Sequence, residues 1–265
     1  MNQTQKIIKY VAIGFAFFLI ISIFSAIIAI LGTFSSIFDE NEKTTDKVFE
    51  IKENILELDI DVTAVDLVIK NGDKLSIETN NEYIECKQNR NELSIKEKKH
   101  NVFNNKNKEL IITLPKNIEL DVFKINSGAG KIDIEEISSK KADIELGAGK
   151  VEFYILNVSS NAKIEGGAGE ISINDGTINN LDLDMGVGKF TIDSKLLGNT
   201  DIDAGVGELN INLLDSINNY SINVEKGIGS VKLNGDSINN TIGTGINRID
   251  IDGGVGSINI TTIER

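Results

Sequence analysis

Ala142-Asp143-Ile144-Glu145-Leu146-Gly147-Ala148-Gly149-Lys150-Val151-Glu152-Phe153-Tyr154-Ile155 is the stretch from which the fold can be read. Ile144, Leu146 and Ala148 alternate on one parity, and Val151, Phe153 and Ile155 on the other. Strand side chains have a period of two, so a parity change sends the apolar set to the opposite face unless the backbone bends. Gly147 and Gly149 supply that bend, because glycine accepts positive φ and lets a neighbouring backbone come close.

The phrase recurs. Corner pairs stand at Gly128 and Gly130, Gly147 and Gly149, Gly167 and Gly169, Gly186 and Gly188, Gly205 and Gly207, Gly227 and Gly229, and Gly254 and Gly256, with a further Gly-x-Gly at Gly243 and Gly245. The first glycines are 19, 20, 19, 19, 22, 16 and 11 residues apart. A near-constant period of about 20 residues marks a stacked-repeat fold. Crossover helices do not fit into so short a repeat, which excludes a βαβ sheet. The expected fold is all-β: a β-solenoid, parallel β-helix-like, with Gly-x-Gly corners. Each repeat is two short strands and a closing turn, with Ile, Leu and Val inward. Consecutive glycine pairs are expected to lie above one another, leaving smooth outer walls and no pocket. An antiparallel sandwich is the competing architecture.

The closing turn carries asparagine: Asn161, Asn180 and Asn199 each stand six residues before a corner glycine. Asparagine tolerates the left-handed region and bonds its own backbone. In-register rungs would stack these amides as a ladder; separate solvated turns are the alternative.

Upstream, Val11 to Leu31 is an uncharged run long enough to span a bilayer. Lys6 and Lys9 precede it, and Asp39, Glu40 and Glu42 follow. This asymmetry predicts a cytoplasmic N-terminus, residues 1–10, a transmembrane signal-anchor, 11–33, and an extracytoplasmic remainder. Cleavage as a signal peptide is the alternative. Residues 34–47 read as a polar stalk. Residues 48–114 read as a β-rich cap with room for the first irregular rungs, and 115–265 as the repeat domain. Asn71-Gly72 predicts a hairpin between 66–70 and 74–78, and Gln88 to Asn91 a second one. A cap is needed because an open coil end would recruit other chains; Glu264 and Arg265 are gatekeeper candidates at the far end.

The net charge of −13 suits neither nucleic acid nor anionic lipid or teichoic-type polymers, and reads as a solvated acidic surface. Cys86 is the single cysteine, which excludes an intrachain disulfide and reads as an inert strand position. His100, the single histidine, sits in a polar stretch with Lys96, Lys98, Lys99, Lys106 and Lys108, a charged loop.

The order of a membrane span, irregular strands, Ile111-Ile112-Thr113-Leu114-Pro115-Lys116-Asn117, Gly-Ala-Gly repeats and a terminal Gly253-Gly254-Val255-Gly256-Ser257-Ile258 resembles the bacterial family described as "putative adhesins" with β-strand repeats, over residues 48–265. Its members include LiaG-like membrane-anchored proteins linked to cell-envelope stress operons. The resemblance implies an anchored extracytoplasmic β-solenoid and brings no catalytic residues with it.

The residues themselves point the same way. Gly-x-Gly here lacks the strand–turn–helix context and the third glycine of a dinucleotide site. A calcium roll needs a repeated carboxylate beyond the glycines, but the third residue past each pair is Asp133, Glu152, Ser172, Thr191 and Asn210. Asp182 and Asp184 share an outward face and are the candidates for acid–base work on a polysaccharide; alternation alone also places them there. No cofactor, metal or catalytic set is expected. The expected function is a non-catalytic, membrane-anchored adhesin-like or envelope-sensing accessory, bound to the membrane by its N-terminal helix and meeting an envelope polymer or membrane protein through wall residues such as Lys150, Glu152, Glu170 and Lys189. The alternatives are a self-assembling scaffold and, third, a polysaccharide-acting enzyme.

Overall fold

The structure, a computed structural model, describes residues 47–49, 51, 54–98, 108–225, 227–238 and 241–263. The expected N-terminus and anchor (1–33), nearly all of the stalk, Lys99, His100, Lys106, Glu264 and Arg265 lie outside the described residues. Among those described, no helix is long and apolar enough to cross a membrane.

The described residues are built almost entirely into strands. In order they are β1 Lys47–Phe49, β2 Glu57–Ala64, β3 Asp66–Gly72, β4 Ser76–Thr79, β5 Ile84–Asn89, β6 Glu92–Glu97, β7 Glu109–Pro115, β8 Leu120–Ile173, β9 Thr177–Asn179, β10 Leu181–Leu197, β11 Asn199–Asp203, β12 Val206–Leu213, β13 Tyr220–Glu225, β14 Ile228–Leu233, β15 Asp236–Ser237, β16 Asn247–Asp252 and β17 Val255–Thr262. β8 runs unbroken for 54 residues through three glycine corners, so the corners bend the ladder without interrupting it.

The rungs are parallel and in register. Leu183 lies beside Ile164 and Ile202, and Ile202 beside Ile251, which lies beside Val224. Past the corner, Phe190 lies beside Ile171 and Leu209, Leu209 beside Ile258, and Ile258 beside Val231. All of these are buried. Columns of Ile, Leu, Val and Phe thus fill the interior, each buried side chain contributing about 1.5–3 kcal/mol. Both parities of the repeat point inward because the second glycine of each corner pair adopts a φ between +138 and +150.

Three features depart from the sequence reading. First, the closing turn is itself a short third side: Thr177–Asn179 pairs in parallel with Lys195–Leu197, and Ile178 lies beside Val158. Its inward column of Ser139, Val158, Ile178 and Leu196 is buried. Each rung gives this side a single inward residue, too few for period-two reading to reveal a strand.

Second, chain order and spatial order diverge at both ends. β2 lies between β6 and β8, and β3 between β7 and β8, so the first parallel strands of the chain are not its outermost ones. At the far end β16 and β17 slot between β11–β12 and β13–β14. Gly256 therefore lies beside both Gly207 and Gly229, and the last two corner pairs exchange places. Gly243 and Gly245 form no corner; they pack against Tyr220 and Asn219 in a loop. The exchange leaves no terminal rung formed by a free chain end. Antiparallel strands cover the outer edges instead: β5 on β6, β4 on β7 and β1 on β4, and at the other end a short hairpin of β14 with β15. This is how the exposed edges of a parallel stack are blunted.

Third, Asn71-Gly72 is not a hairpin turn. Both residues lie within β3, opposite Leu114 and Pro115, because β7 takes the place that β4 would have occupied. The second expected hairpin does form: Asn89 faces Glu92 across a turn in which Arg90 has φ +54.

Candidate functional site

The glycine corners come first, because they fix where every outer side chain stands. A β-carbon on Gly147 would overlap the carbonyl oxygen of Gly128, and one on Gly149 that of Gly130. The same relation links Gly167 to Gly147, Gly186 to Gly167, Gly205 to Gly186 and Gly254 to Gly205. The corner backbones are in contact rung on rung, so the column is glycine on both steric and conformational grounds. The voids beside it hold only about 20 Å³ each, room for about one water molecule.

The first outer wall carries two columns of side chains. One runs Asp59, Lys124, Asp143, Lys163, Asp182, Asp201, Asp250 and Asn223; the pairings that place it include Asp59 beside Lys124, Lys163 beside Asp182, Asp182 beside Asp201 and Asp201 beside Asp250. Opposite charges alternate in its first half, with Lys124 and Asp143 3.4 Å apart. In its second half they do not. The adjacent column puts Glu165, Asp184, Asp203, Asp252 and Glu225 side by side. Three neighbouring Asp-x-Asp strands therefore form a grid of six aspartates. Burial pushes the Asp203 carboxyl above the usual carboxylate range, assisted by its hydrogen bond with Asp184 and by the charges of Asp184, Asp252 and Asp182. Arg248 is ion-paired with Asp250, and Lys163 with Glu165 at 2.5 Å. On this open wall Asp182 stands between Lys163 and Asp201, and Asp184 between Glu165 and Asp203. Among the described residues no group of His, Cys, Asp and Glu is placed to hold a metal ion.

The second wall holds the expected contact residues. Lys189 lies between Glu170 and Glu208, Lys150 is 4.0 Å from Glu152, and Glu152 accepts a hydrogen bond from Asn174. Here, not at the turns, the amides stack: Asn259 donates to Asn210 at 3.0 Å, Thr261 to Asn212, and Asn212 to Asp193. At the turns the bonding runs through the backbone. Asn180, with φ +48, donates to the carbonyl of Ser160 and accepts from the N–H of Asn199.

The third side is not smooth. A groove of about 400 Å³ is lined by Ser138, Asn157, Ser159, Thr177 and Asn179 on three successive rungs, and the turn Asn117-Ile118-Glu119 forms one wall. That turn follows from Pro115, which ends β7 and accepts a hydrogen bond from Ile118; Asn117 takes φ +61. The sequence reading missed this site. Its trace was available: Ser138, Asn157 and Thr177 recur at the repeat interval as uncharged hydroxyls and amides.

Two remaining candidates are quiet. Cys86 faces Ile95 on β5, and burial pushes its thiol up to about 12. Lys96 and Lys98, from the basic cluster, pair with Asp59 at 3.2 Å and Glu85 at 2.6 Å.

A family model, Toastrack DUF4097, matches residues 55–261, from just before β2 to the last strand. The chain belongs to the Toastrack family. Solved structures similar to this Toastrack chain include a "putative cell adhesion protein" from Clostridium sporogenes (22% identity, covering 83% of this chain and 100% of that one, TM-score 0.35). They also include a "putative adhesin" from Bacteroides fragilis (13%, 83% and 98%, TM-score 0.37) and a "putative lipid binding protein" from Parabacteroides distasonis (17%, 84% and 98%, TM-score 0.39). No protein of curated function matches the chain.

Proposed function

We propose that this Toastrack protein is a non-catalytic, membrane-anchored extracytoplasmic protein that binds a component of the cell envelope through its outer walls, as an adhesin-like or envelope-sensing accessory. The observation that carries the reading is the in-register stacking of outward side chains over a filled interior. Parallel columns such as Asp182, Asp201 and Asp250 repeat one chemistry at each rung, about 4.8 Å apart. A partner that is itself extended and repetitive meets such a wall at many points, where a small substrate would meet only one. The uncharged run Val11 to Leu31 and its flanking charges support anchoring with the coil outside.

The test is photo-crosslinking in intact cells from positions on the first and second walls. Recovery of envelope polymer or membrane proteins supports the reading; recovery of cytoplasmic proteins alone overturns it. One observation favours a scaffold as the second reading. At the C-terminal end Ile228, which opens β14, is 54% exposed and Ile246, just before β16, 91% exposed. A scaffold assembling there sediments as concentration-dependent oligomers, whereas a binding ectodomain sediments as one species.

A further inference from the structure

The floor of the third-side groove is made of uncharged hydrogen-bonding groups on three successive rungs, with Glu119 and Glu136 at its mouth. Ser138, Asn157 and Thr177 form one column, linked by Asn157 donating to Ser138 at 3.4 Å and accepting from the N–H of Thr177 at 3.1 Å. Ser159 and Asn179 form the next; the Asn179 amide donates to the carbonyl of Val158 at 3.0 Å, which leaves its own oxygen facing out of the bond. The hydroxyl of Ser159 and the side chain of Asn117 have no hydrogen-bond partner among the described residues. Beneath them is Ser139, a buried hydroxyl with no partner, in a column whose next rungs hold Val158 and Ile178.

The lining selects by exclusion. A lipid chain needs an apolar floor, and only Ile118 and Val158 are apolar here. An extended peptide needs a free strand edge, but the floor is rungs already paired with their neighbours. An anionic polymer would meet Glu119 and Glu136 at the mouth with no cation among the lining residues. What remains is a ligand dense in neutral hydroxyls and amides. Successive rungs present one hydroxyl or amide about every 4.8 Å, close to the length of one sugar ring in an extended chain. We propose that this groove binds a neutral oligosaccharide laid along the coil axis, with Ser159, Thr177 and Asn179 bonding the ring substituents of successive sugars and Asn117 closing one side.

The proposal deepens the envelope-binding reading and is separable from it: crosslinks from the charged walls can succeed while the groove binds nothing, and the reverse. The test is isothermal titration of the purified full chain with N-acetylchitotetraose, cellotetraose and maltotetraose, and with poly-γ-glutamate as an anionic comparison. Saturable binding of at least one neutral tetrasaccharide is expected, weakened at least tenfold in the near-isosteric double variant Ser159→Ala, Thr177→Val, with the thermal midpoint unchanged. Lys87→Ala, at the capped end, leaves it unaltered. If the double variant does not fold, Asn117→Ala in the projecting turn carries the same expected loss. Silence with all three neutral probes at millimolar concentration overturns the proposal, as does binding that survives these substitutions or tighter binding of poly-γ-glutamate.

Discussion

The α-carbon of Gly167 sits against the carbonyl of Gly147, so closely that a β-carbon there would overlap the oxygen. One position earlier, Gly166 has no such neighbour: its β-carbon would meet the Ile171 terminal methyl at 3.0 Å, the far end of a flexible side chain. Two adjacent glycines in one rung therefore make opposite predictions. Gly167→Ala is expected to destabilise the coil by about 3 kcal/mol or more, since the obstacle is backbone on a paired neighbour. Gly166→Ala is expected to change stability by less than about 1 kcal/mol. Urea denaturation of the two variants decides; equal losses would mean that the corner is not a backbone contact.

The aspartate grid makes a prediction of opposite sign. Asp203 has its pKa raised in the fold, so the folded state holds its proton more tightly than the unfolded chain. Stability from this group therefore falls as pH rises through the folded pKa, and protonation below it relieves the repulsion. Asp203→Asn or Asp184→Asn is expected to stabilise the chain by roughly 0.2–1 kcal/mol at neutral pH and low salt, and by less in high salt. Thermal midpoints measured across pH and salt check both. A destabilised variant at neutral pH would show that the carboxylates are held by a partner.

Cys86 is expected to resist alkylation. With its thiol pushed up to about 12 by burial, almost no thiolate exists at pH 8. Iodoacetamide labelling in native buffer should proceed far more slowly than in denaturant. Rapid native labelling would place Cys86 in a more open position than its half-buried place on β5.

The exchanged ends predict how the coil fails. Because β16 and β17 lie inside β13 and β14, removing residues 247–265 takes away an interior rung. Amide protection in β13 and β14 should be lost with it, while β8 and β10 keep theirs. In a coil whose rungs followed chain order, the same truncation would remove only an outer layer and leave β13 and β14 protected.

Much of this was legible in the residues, and the exceptions have physical causes. The corners could be read because a parity change with paired glycines has few backbone solutions. The inward columns followed from alternation at Ile144, Leu146, Val151 and Phe153. The exchange of Gly227–Gly229 with Gly254–Gly256 could not be read, since each rung offers the same apolar face and the same corner to either neighbour. Only the shortened intervals of 16 and 11 residues hinted at a departure. The third side was hidden by its brevity, and the groove with it. Asn71-Gly72 misled because a strong local turn signal yielded to the longer pairing of β3 with β7. The asparagines at the turns showed their left-handed preference at Asn180, but stacked amides formed where Asn210 and Asn259 fall in register.

The central claim is that the coil stands outside the membrane and offers its walls to the envelope. The most direct test places one cysteine on the second wall, Lys150→Cys in a Cys86→Ser background, and treats intact cells with a membrane-impermeant maleimide. Labelling of intact cells equal to that of lysed cells is the predicted result. Labelling only after lysis would contradict the account.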